Sequence, residues 1–458
     1  MASLFRVVLC CLFVAFALGC ATYHQKKQRL NDFFINGDYE GAEKLMDKAS
    51  KEAQGNNRVI YYFNRGVSAF MLGNYAISNQ YFRDADYYIE DYTRSIGLQA
   101  LTLVSNPMVK PYRPEDFECV MIHFYMALNH LFLNDYEGAL VECRRVNLQL
   151  QSINDKYKAN KNKYSIDAFA LNLIGMIYET SGDYNNAFIA YRNALEAYES
   201  VYLPLFHIQI PFELKQSLMR SAYLTGFKEE LTFYENKFNT QFVPEDEDSG
   251  NVTFFWMNGF GPVKAEWSLN FFNNGYNNGF VNLADSDLGM TFPIYIGNKT
   301  SSEQAAFKNI SFLRVAFPKY VSRSPYFTNA TITVEQKQYP LELAQPIDLI
   351  ARQCLNDRML REIGSGITRL ATKKALEALA NKQNENLGTL VSIINAATEK
   401  ADTRNWQTLP FSISYARIPL PHGKHTIQLN AVGQSSDMAN FDVNIEKGKT
   451  IFMFFHHR

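Results

Sequence analysis

The chain has 458 residues, of which 45 are Lys or Arg and 46 are Asp or Glu, so its formal net charge is -1. This balance lacks the excess of cations that neutralises phosphates, which argues against a dedicated nucleic-acid binder. Hydrophobic residues make up 47% of the chain, enough for buried cores in about two or three domains. Six cysteines in a chain of this length are too few for a disulfide scaffold.

The N-terminus has the pattern of a lipoprotein signal peptide. Arg6 precedes an apolar run of 12 residues, Val7 to Leu18, which is too short to span a bilayer and has the length of a signal-peptide core. Ala17-Leu18-Gly19-Cys20 resembles a bacterial lipobox, which implies cleavage before Cys20 and attachment of lipid to it. The sequence therefore predicts a signal peptide over 1–19 and a lipidated tether over 20–30, anchored in a membrane.

The residue after the lipidated cysteine indicates where the protein goes. Position 21 is Ala rather than Asp, and by the sorting rule of bacterial lipoproteins this resembles an outer-membrane address. We therefore expect a lipid-anchored outer-membrane protein whose body faces the periplasm. An ordinary signal peptide with a coincidental cysteine is the alternative.

Three cysteines remain in the body of the mature chain, so they cannot all pair with one another. They are Cys119, Cys143 and Cys354. A bridge between Cys119 and Cys143 is conceivable if they lie on adjacent antiparallel helices. Buried, unpaired thiols are the favoured interpretation.

A helical pattern repeats over 31–240. Its clearest copy starts at Asp167 and places small and aromatic residues at the offsets of the tetratricopeptide repeat, whose 34 residues form two antiparallel helices. Gly175 and Ala187 are expected where the two helices approach closely, and Gly182 is expected in the turn between them. The residues assigned to repeat packing are Gly66, from a weaker copy, and Gly175, Tyr178, Gly182, Tyr184, Ala187, Tyr191 and Ala194. Tyr178 and Tyr191 are expected to fill the gap towards the neighbouring repeat.

Weaker copies share the same turn signature, written NGDY, LGNY and LNDY, and a degenerate copy over 212–240 has Gly226 at its turn. Arrays of this type usually present a concave surface to a peptide or protein. The sequence therefore predicts that the helices over 31–240 bind an envelope protein. A helical spacer without a ligand is the alternative.

The periodicity changes after a polar linker at 241–250. The segments 252–259 and 264–272 alternate in the manner of strands, and strand patterns continue towards the C-terminus. Residues 346–400 interrupt them with a stretch that is helical by composition and periodicity. The predicted fold is α+β and multidomain: a tetratricopeptide-like helical array, followed over 251–458 by an antiparallel β-sandwich-like domain with a helical insertion.

The helical insertion carries clustered cations. Arg361, Arg369, Lys373 and Lys374 lie in a segment with an apolar side, and a basic amphipathic helix can contact a partner or an anionic membrane. A helix that packs across the sandwich with its charges in solvent is the favoured alternative. The sequence alone leaves this choice open.

The segment after the insertion contains Asp402, Arg404 and Trp406. Arg404 has a carboxylate two residues before it and an aromatic ring two residues after it. It is expected to pair with Asp402 and to stack on Trp406. We interpret the three residues as a structural clasp at the point where the chain re-enters the β-domain.

Three C-terminal segments, at 257–266, 401–410 and 416–423, together resemble a family of tetratricopeptide-bearing envelope lipoproteins of Gram-negative bacteria. With the lipobox and the repeats, the resemblance covers nearly the whole chain. It implies the order of the domains and an envelope location, with other outer-membrane lipoproteins as further candidate partners. It implies no activity.

The sequence lacks the motifs that point to catalysis. It has no nucleophile elbow, phosphate-binding glycine loop, His-Glu-x-x-His or Cys-x-x-Cys, so no catalytic residue, metal or cofactor is predicted. The expected function is a non-catalytic outer-membrane scaffold for protein–protein interaction. The alternative is a module that binds cell-wall or surface glycan through β-domain aromatics such as Trp256, Trp267 or Tyr276.

Overall fold

The computed structural model describes residues 23–96, 110–155, 162–246, 248–285, 289–383 and 401–458. The expected signal peptide, Cys20 and the last part of the helical insertion, 384–400, lie outside these residues. Within the described ranges, no helix combines the length and the apolar character needed to cross a membrane.

The first half of the chain is helical and the second half is rich in strands. The helices are α1 (Tyr23–Lys26), α2 (Gln28–Asn36), α3 (Tyr39–Lys48), α4 (Arg58–Met71), α5 (Tyr75–Ile96), α6 (Asp116–Phe132), α7 (Tyr136–Asp155), α8 (Ala168–Thr180), α9 (Tyr184–Ala197), α10 (Leu203–Phe206), α11 (Phe212–Thr225), α12 (Lys228–Phe238), α13 (Ser301–Lys308) and α14 (Ile347–Gln383). The strands are β1 (Ser249–Asn258), β2 (Val263–Asn277), β3 (Phe280–Asp285), β4 (Met290–Tyr295), β5 (Phe312–Val321), β6 (Phe327–Val334), β7 (Lys337–Pro340), β8 (Glu342–Gln345), β9 (Ser412–Pro421), β10 (Gly423–Gly433), β11 (Ser436–Ile445) and β12 (Thr450–His457).

The helices pack as antiparallel pairs, α2/α3, α4/α5, α6/α7, α8/α9 and α11/α12. Each pair turns through one residue with a left-handed backbone, with φ between 57° and 81°: Gly37, Gly73, Asn134, Gly182 or Gly226. A left-handed residue favours Gly or Asn, which explains the shared turn signature. In two of the pairs the residue after the turn is an aspartate, Asp38 or Asp183. Its side chain caps the second helix by accepting a backbone N–H.

Close approach within each pair depends on a missing side chain. A Cβ at Gly175 would lie 2.4 Å from the ring of Tyr191, and a Cβ at Gly66 would lie 2.5 Å from the ring of Phe82. Tyr191 therefore fills space inside its own pair. Tyr178 does reach a neighbour, because its hydroxyl accepts a hydrogen bond from Arg144 of the preceding pair.

The strands form three sheets rather than one sandwich. Sheet A has the order β12-β1-β9-β8, sheet B the order β4-β3-β2-β5, and sheet C the order β11-β10-β6-β7. The β1–β12 pairing is parallel, and the other described pairings are antiparallel. Sheets A and C share an apolar core and form the sandwich. Sheet B instead packs on α13 and α14.

Sheet A lies in the middle of the molecule. On β1, Phe254 and Trp256 belong to the core shared with sheet C, whereas Phe255 and Met257 belong to the core shared with the helical array. Both faces of the strand are thus covered, and nine of its ten residues are buried. The alternation expected for 252–259 is therefore wrong: burial on both faces explains why Phe254 to Met257 form an unbroken apolar run.

The helical insertion is a single helix over Ile347–Gln383, and it links two cores. Ile350 and Cys354 pack with the helical array, whereas Ile367 and Leu370 pack against sheet B. The helix thus lies across the β-domain for much of its length. The side chains of Arg361 and Arg369 are outside the described part of the structure, and Lys373 is half-buried.

The three cysteines in the body of the chain are buried and unpaired. The conceivable bridge between Cys119 and Cys143 is therefore not formed. Burial raises the pKa of the Cys143 thiol far above its usual range and that of Cys119 as well, so both remain neutral packing groups.

Candidate functional site: the faces of the helical array

The first helix of each pair, α2, α4, α6, α8 and α11, contributes to the face of the array that points towards the β-domain. We call this the inner face. Phe63 of α4 stacks on Trp406 with ring centroids 4.2 Å apart, and Phe70 lies 4.6 Å from Phe454 of β12. Further along, Asn172 of α8 donates to the hydroxyl of Tyr415, at 2.9 Å. The face that repeat arrays usually offer to a partner is therefore occupied by this chain's own β-domain.

Arg404 stabilises one part of the contact between the inner face and the β-domain, which we call the joint. Its Nε donates to Oδ1 of Asp402 at 2.8 Å, and its Nη2 lies 2.6 Å from Oδ2, so the ion pair is two-pronged. Nη1 also donates to the carbonyl of Lys110, at 3.0 Å. The guanidinium lies over the ring of Tyr112 rather than on Trp406, because Trp406 is already stacked on α4.

Trp406 lies at the centre of the same joint. Its ring is buried, and its Nε1 donates to Thr408 Oγ1 at 3.0 Å. Its backbone N–H donates to Glu118 of α6 at 2.6 Å. The segment proposed as a clasp thus makes its main contacts with the helices rather than with the sheets.

A buried charge cluster lies next to this segment. Lys264 of β2 and Arg358 of α14 both form ion pairs with Glu115 at the start of α6, and the Lys264 and Glu115 side chains are each only 2% exposed. Burial alone would raise the pKa of Glu115, but the two cations outweigh it and hold that pKa below its usual range. One carboxylate therefore ties the helical array to a strand and to α14.

Asp167 forms a second buried link. It caps α8 by accepting the N–H of Ala170, and it also accepts hydrogen bonds from Tyr164 at 2.5 Å and from Gln345 of β8 at 2.6 Å. The sequence pattern indicates only the start of a repeat at this residue. The signal for its wider role is weak, because an N-cap Asp is common and its β8 partner lies 178 residues away.

A third cluster surrounds Arg220 of α11. Arg220 Nε donates to Glu179 at 2.6 Å and Arg220 Nη1 to Glu245 at 3.4 Å, and Arg417 of β9 pairs with both carboxylates. Burial favours a neutral Glu179, yet Arg220 and Arg417 lower its pKa to about 2. Glu245 lies in the segment expected to be a polar linker, which therefore takes part in the interface.

Glu213 makes this cluster sensitive to pH. Its carboxylate lies 3.4 Å from Arg220, which it shares with Glu179 and Glu245, and burial raises its pKa to about 7 from 4.5. Between these values the folded chain keeps a proton that the unfolded chain has released, so stability falls as the pH rises from about 4.5 to about 7. We expect Glu213→Gln to be about 2 kcal/mol more stable than the parent at pH 8 and equally stable at pH 4.5.

Urea unfolding at the two pH values measures this difference. Glu229→Gln on the exposed surface of α12 is the matched control and is expected to follow the parent at both. Equal stability of Glu213→Gln and parent at pH 8 would contradict the assignment.

No described residue covers the opposite face of the array at the positions considered next. Val141 of α7, Ile189 of α9 and Phe233 of α12 each occupy the sixth position of the second helix of a pair. They are 44%, 39% and 59% exposed. Equivalent positions of successive repeats form a row, so these side chains make an apolar stripe, which we call the outer row. The first two pairs place Lys44 and Gln80 at this position instead.

The aromatic residues suggested for glycan binding do not form one surface. Trp256 is buried in the sandwich, where its Nε1 donates to His457 at 2.7 Å. Trp267 is half-buried beside Phe317, and only Tyr276 is exposed. Among the described residues there is also no grouping of three or more His, Cys, Asp or Glu suited to a metal.

No family model matches the sequence, and no curated protein is significantly similar to it. Solved structures do align with it. The MamA crystal structure aligns with a TM-score of 0.29 and 15% identity, over 48% of this chain and 96% of MamA. The nearly identical tetratricopeptide-like repeats of a candidate kinesin light chain of Podosopora anserina align at 0.29 and 10%, over 46% and 90%. The apo form of RapI aligns at 0.32 and 15%, over 46% and 66%. At these scores the alignments add nothing to the paired helices that the chain itself displays.

Proposed function

We propose that this chain is a non-catalytic lipoprotein of the outer membrane that acts as a scaffold and binds an envelope protein on the outer row. The lipobox at Cys20 supports the anchor, and the repeat array supports the role in protein binding. The observation that carries the proposal is the occupation of the inner face by the β-domain. A partner therefore finds its apolar contacts on the opposite face.

The end of the array strengthens this assignment. Repeat arrays usually close with a terminal helix whose outer face is polar. Here the last pair, α11 and α12, exposes Phe212, Tyr223 and Leu224 in addition to Phe233. In α12 only Tyr234 is buried. The last pair thus leaves the outer row and the end of the stack uncovered, which suits a partner that adds apolar surface there.

Photo-crosslinking in cells tests the proposal. A crosslinking amino acid at Ile189 or Phe233 is expected to capture one dominant envelope protein, and the same residue at Met438 of β11, which is also exposed, is expected to capture none. The double variant Ile189→Asp/Phe233→Asp should lose this partner, because a charge in an apolar interface is poorly solvated. Val432→Asp/Met438→Asp is the matched control and should retain it.

The location is tested in the same cells. The parent should be labelled by palmitate and fractionate with the outer membrane, and Cys20→Ser should abolish the labelling. Capture of the same protein from every position, or from none, would overturn the outer-row assignment. Palmitate labelling that persists in Cys20→Ser would overturn the anchor.

A further inference from the structure

Sheet B has one face packed and one face open. Leu269, Phe271 and Leu283 point into the core with α13 and α14. The residues between them in the strands point the other way, because side chains alternate across a sheet. We call the end of the sheet at the β2–β3 turn, 278–279, the tip. Near the tip, no element of the described chain belongs to a core on the open side.

The open face changes in polarity along its length. Towards the base of the sheet it carries Ser268 and Arg314, which are hydrogen-bonded at 2.9 Å. Towards the tip it becomes aromatic. Phe272, Phe280, Tyr295 and Phe312 are 50%, 38%, 54% and 38% exposed. We call these four residues the aromatic tip.

The strand register places the aromatic tip on one surface. Phe272 is paired with Phe312 across β2 and β5, and their rings are 5.4 Å apart. Phe280 is paired with Tyr295 across β3 and β4, at 5.1 Å. Phe272 also faces Ala284, which lies on the same side of β3 as Phe280. The two ring pairs are therefore about 13 Å apart along the strands on the same face.

Cations border this surface. Lys374 donates to the carbonyl of Phe312 at 2.7 Å, and Arg314 lies on the open face two residues from Phe312. Lys308 lies 3.7 Å from the ring centroid of Tyr276 at the tip, where Tyr276 is paired with Val281 of the packed face. The acid Asp285 is buried and accepts the N–H of Asn270. Among the described residues, the charges next to Phe272 and Phe312 are thus positive.

We propose that the aromatic tip of sheet B inserts into an anionic membrane surface. Three of its four rings are Phe, which have no polar group to hydrogen-bond a sugar, so the patch suits acyl chains better than a glycan. Lysines beside it would meet the phosphates, and the polar base of the sheet would remain in water. This contact is separate from the lipid on Cys20 and does not depend on it.

Flotation with vesicles tests the proposal on the whole mature chain without its lipid, beginning at Ala21. We expect this protein to float with vesicles of phosphatidylethanolamine and phosphatidylglycerol and to bind phosphatidylcholine vesicles less well. Phe272→Ser/Phe312→Ser should reduce the partition coefficient at least about tenfold, because each ring loses apolar contact with the bilayer.

The matched control is Tyr87→Ser, which removes an exposed aromatic ring from α5 of the helical array and is expected to leave vesicle binding unchanged. The replaced side chains are solvent-exposed, so each variant is expected to fold, and thermal unfolding checks this. A parent chain that does not float with anionic vesicles would overturn the proposal, as expected if a protein or a glycan covers the patch. Equal flotation of parent and Phe272→Ser/Phe312→Ser would also overturn it. Neither result bears on the lipid anchor.

Discussion

Trp406→Ala is expected to destabilise the entire chain by about 3–5 kcal/mol, because it removes a fully buried ring from a core that helices and sheets share. The ring stacks on Phe63 of α4 and lies 5.8 Å from Tyr125 of α6. The cavity would therefore open between the helical array and the segment that precedes β9. Both halves should lose stability together.

Coincident unfolding of two probes measures this. Far-UV circular dichroism follows mainly the helices. Fluorescence follows Trp256 of β1 and Trp267 of β2 in Trp406→Ala, and it follows Trp406 as well in the parent. In the parent and in Trp406→Ala we expect the two curves to superimpose and to shift together. Phe233→Ala, which removes an exposed ring, should leave both curves in place. Two separate transitions would show that the array and the β-domain are independent units.

Because the helices and sheets share a core, deletion of the helical array is not a clean test of partner binding. Removing residues 31–240 would expose Phe255 and Tyr415 of sheet A, which are buried against the helices. Such a truncation would lose the partner by unfolding, even if the partner bound elsewhere. Substitutions on the exposed outer row avoid this problem, because they leave the joint intact.

Local parts of the fold were predictable from the sequence. The turn signature requires a residue that accepts a left-handed backbone, and Gly182 has φ 78° in the structure. The change of period near residue 250 likewise indicates strands after helices. Both signals depend on neighbours a few residues apart, which is the range over which sequence patterns act.

The joint could not be predicted in this way. Asn172 and Tyr415 are 243 residues apart, and nothing near either one indicates the other. β1 offered one usable signal, since a strand with an unbroken apolar run is typical of burial on both faces. That run implied a layer on each side of the sheet, but not that the second layer is the helical array. The prediction that Arg404 stacks on Trp406 was wrong for the same reason. The ring that Arg404 contacts belongs to Tyr112, which is distant in sequence.

Glu115→Gln is expected to cost about 3–5 kcal/mol, because it leaves Lys264 buried without its counter-charge. Lys264→Met should cost less, since Arg358 remains beside the carboxylate at 2.6 Å. In the double variant Glu115→Gln/Lys264→Met, part of the loss should be recovered, because neither buried charge of that pair remains. Urea unfolding of the four chains gives the coupling energy.

The pH dependence separates this explanation from simple loss of packing. The pKa of Glu115 is lower in the folded chain, so its contribution to stability is present above about pH 4.5 and is lost as the pH falls through the folded pKa. The parent should therefore lose its advantage over Glu115→Gln in acid. Asp248→Asn, which breaks an exposed ion pair with Lys447, should change stability little at any pH. A constant difference between parent and Glu115→Gln down to low pH would mean that shape rather than charge fixes this link between the array, β2 and α14.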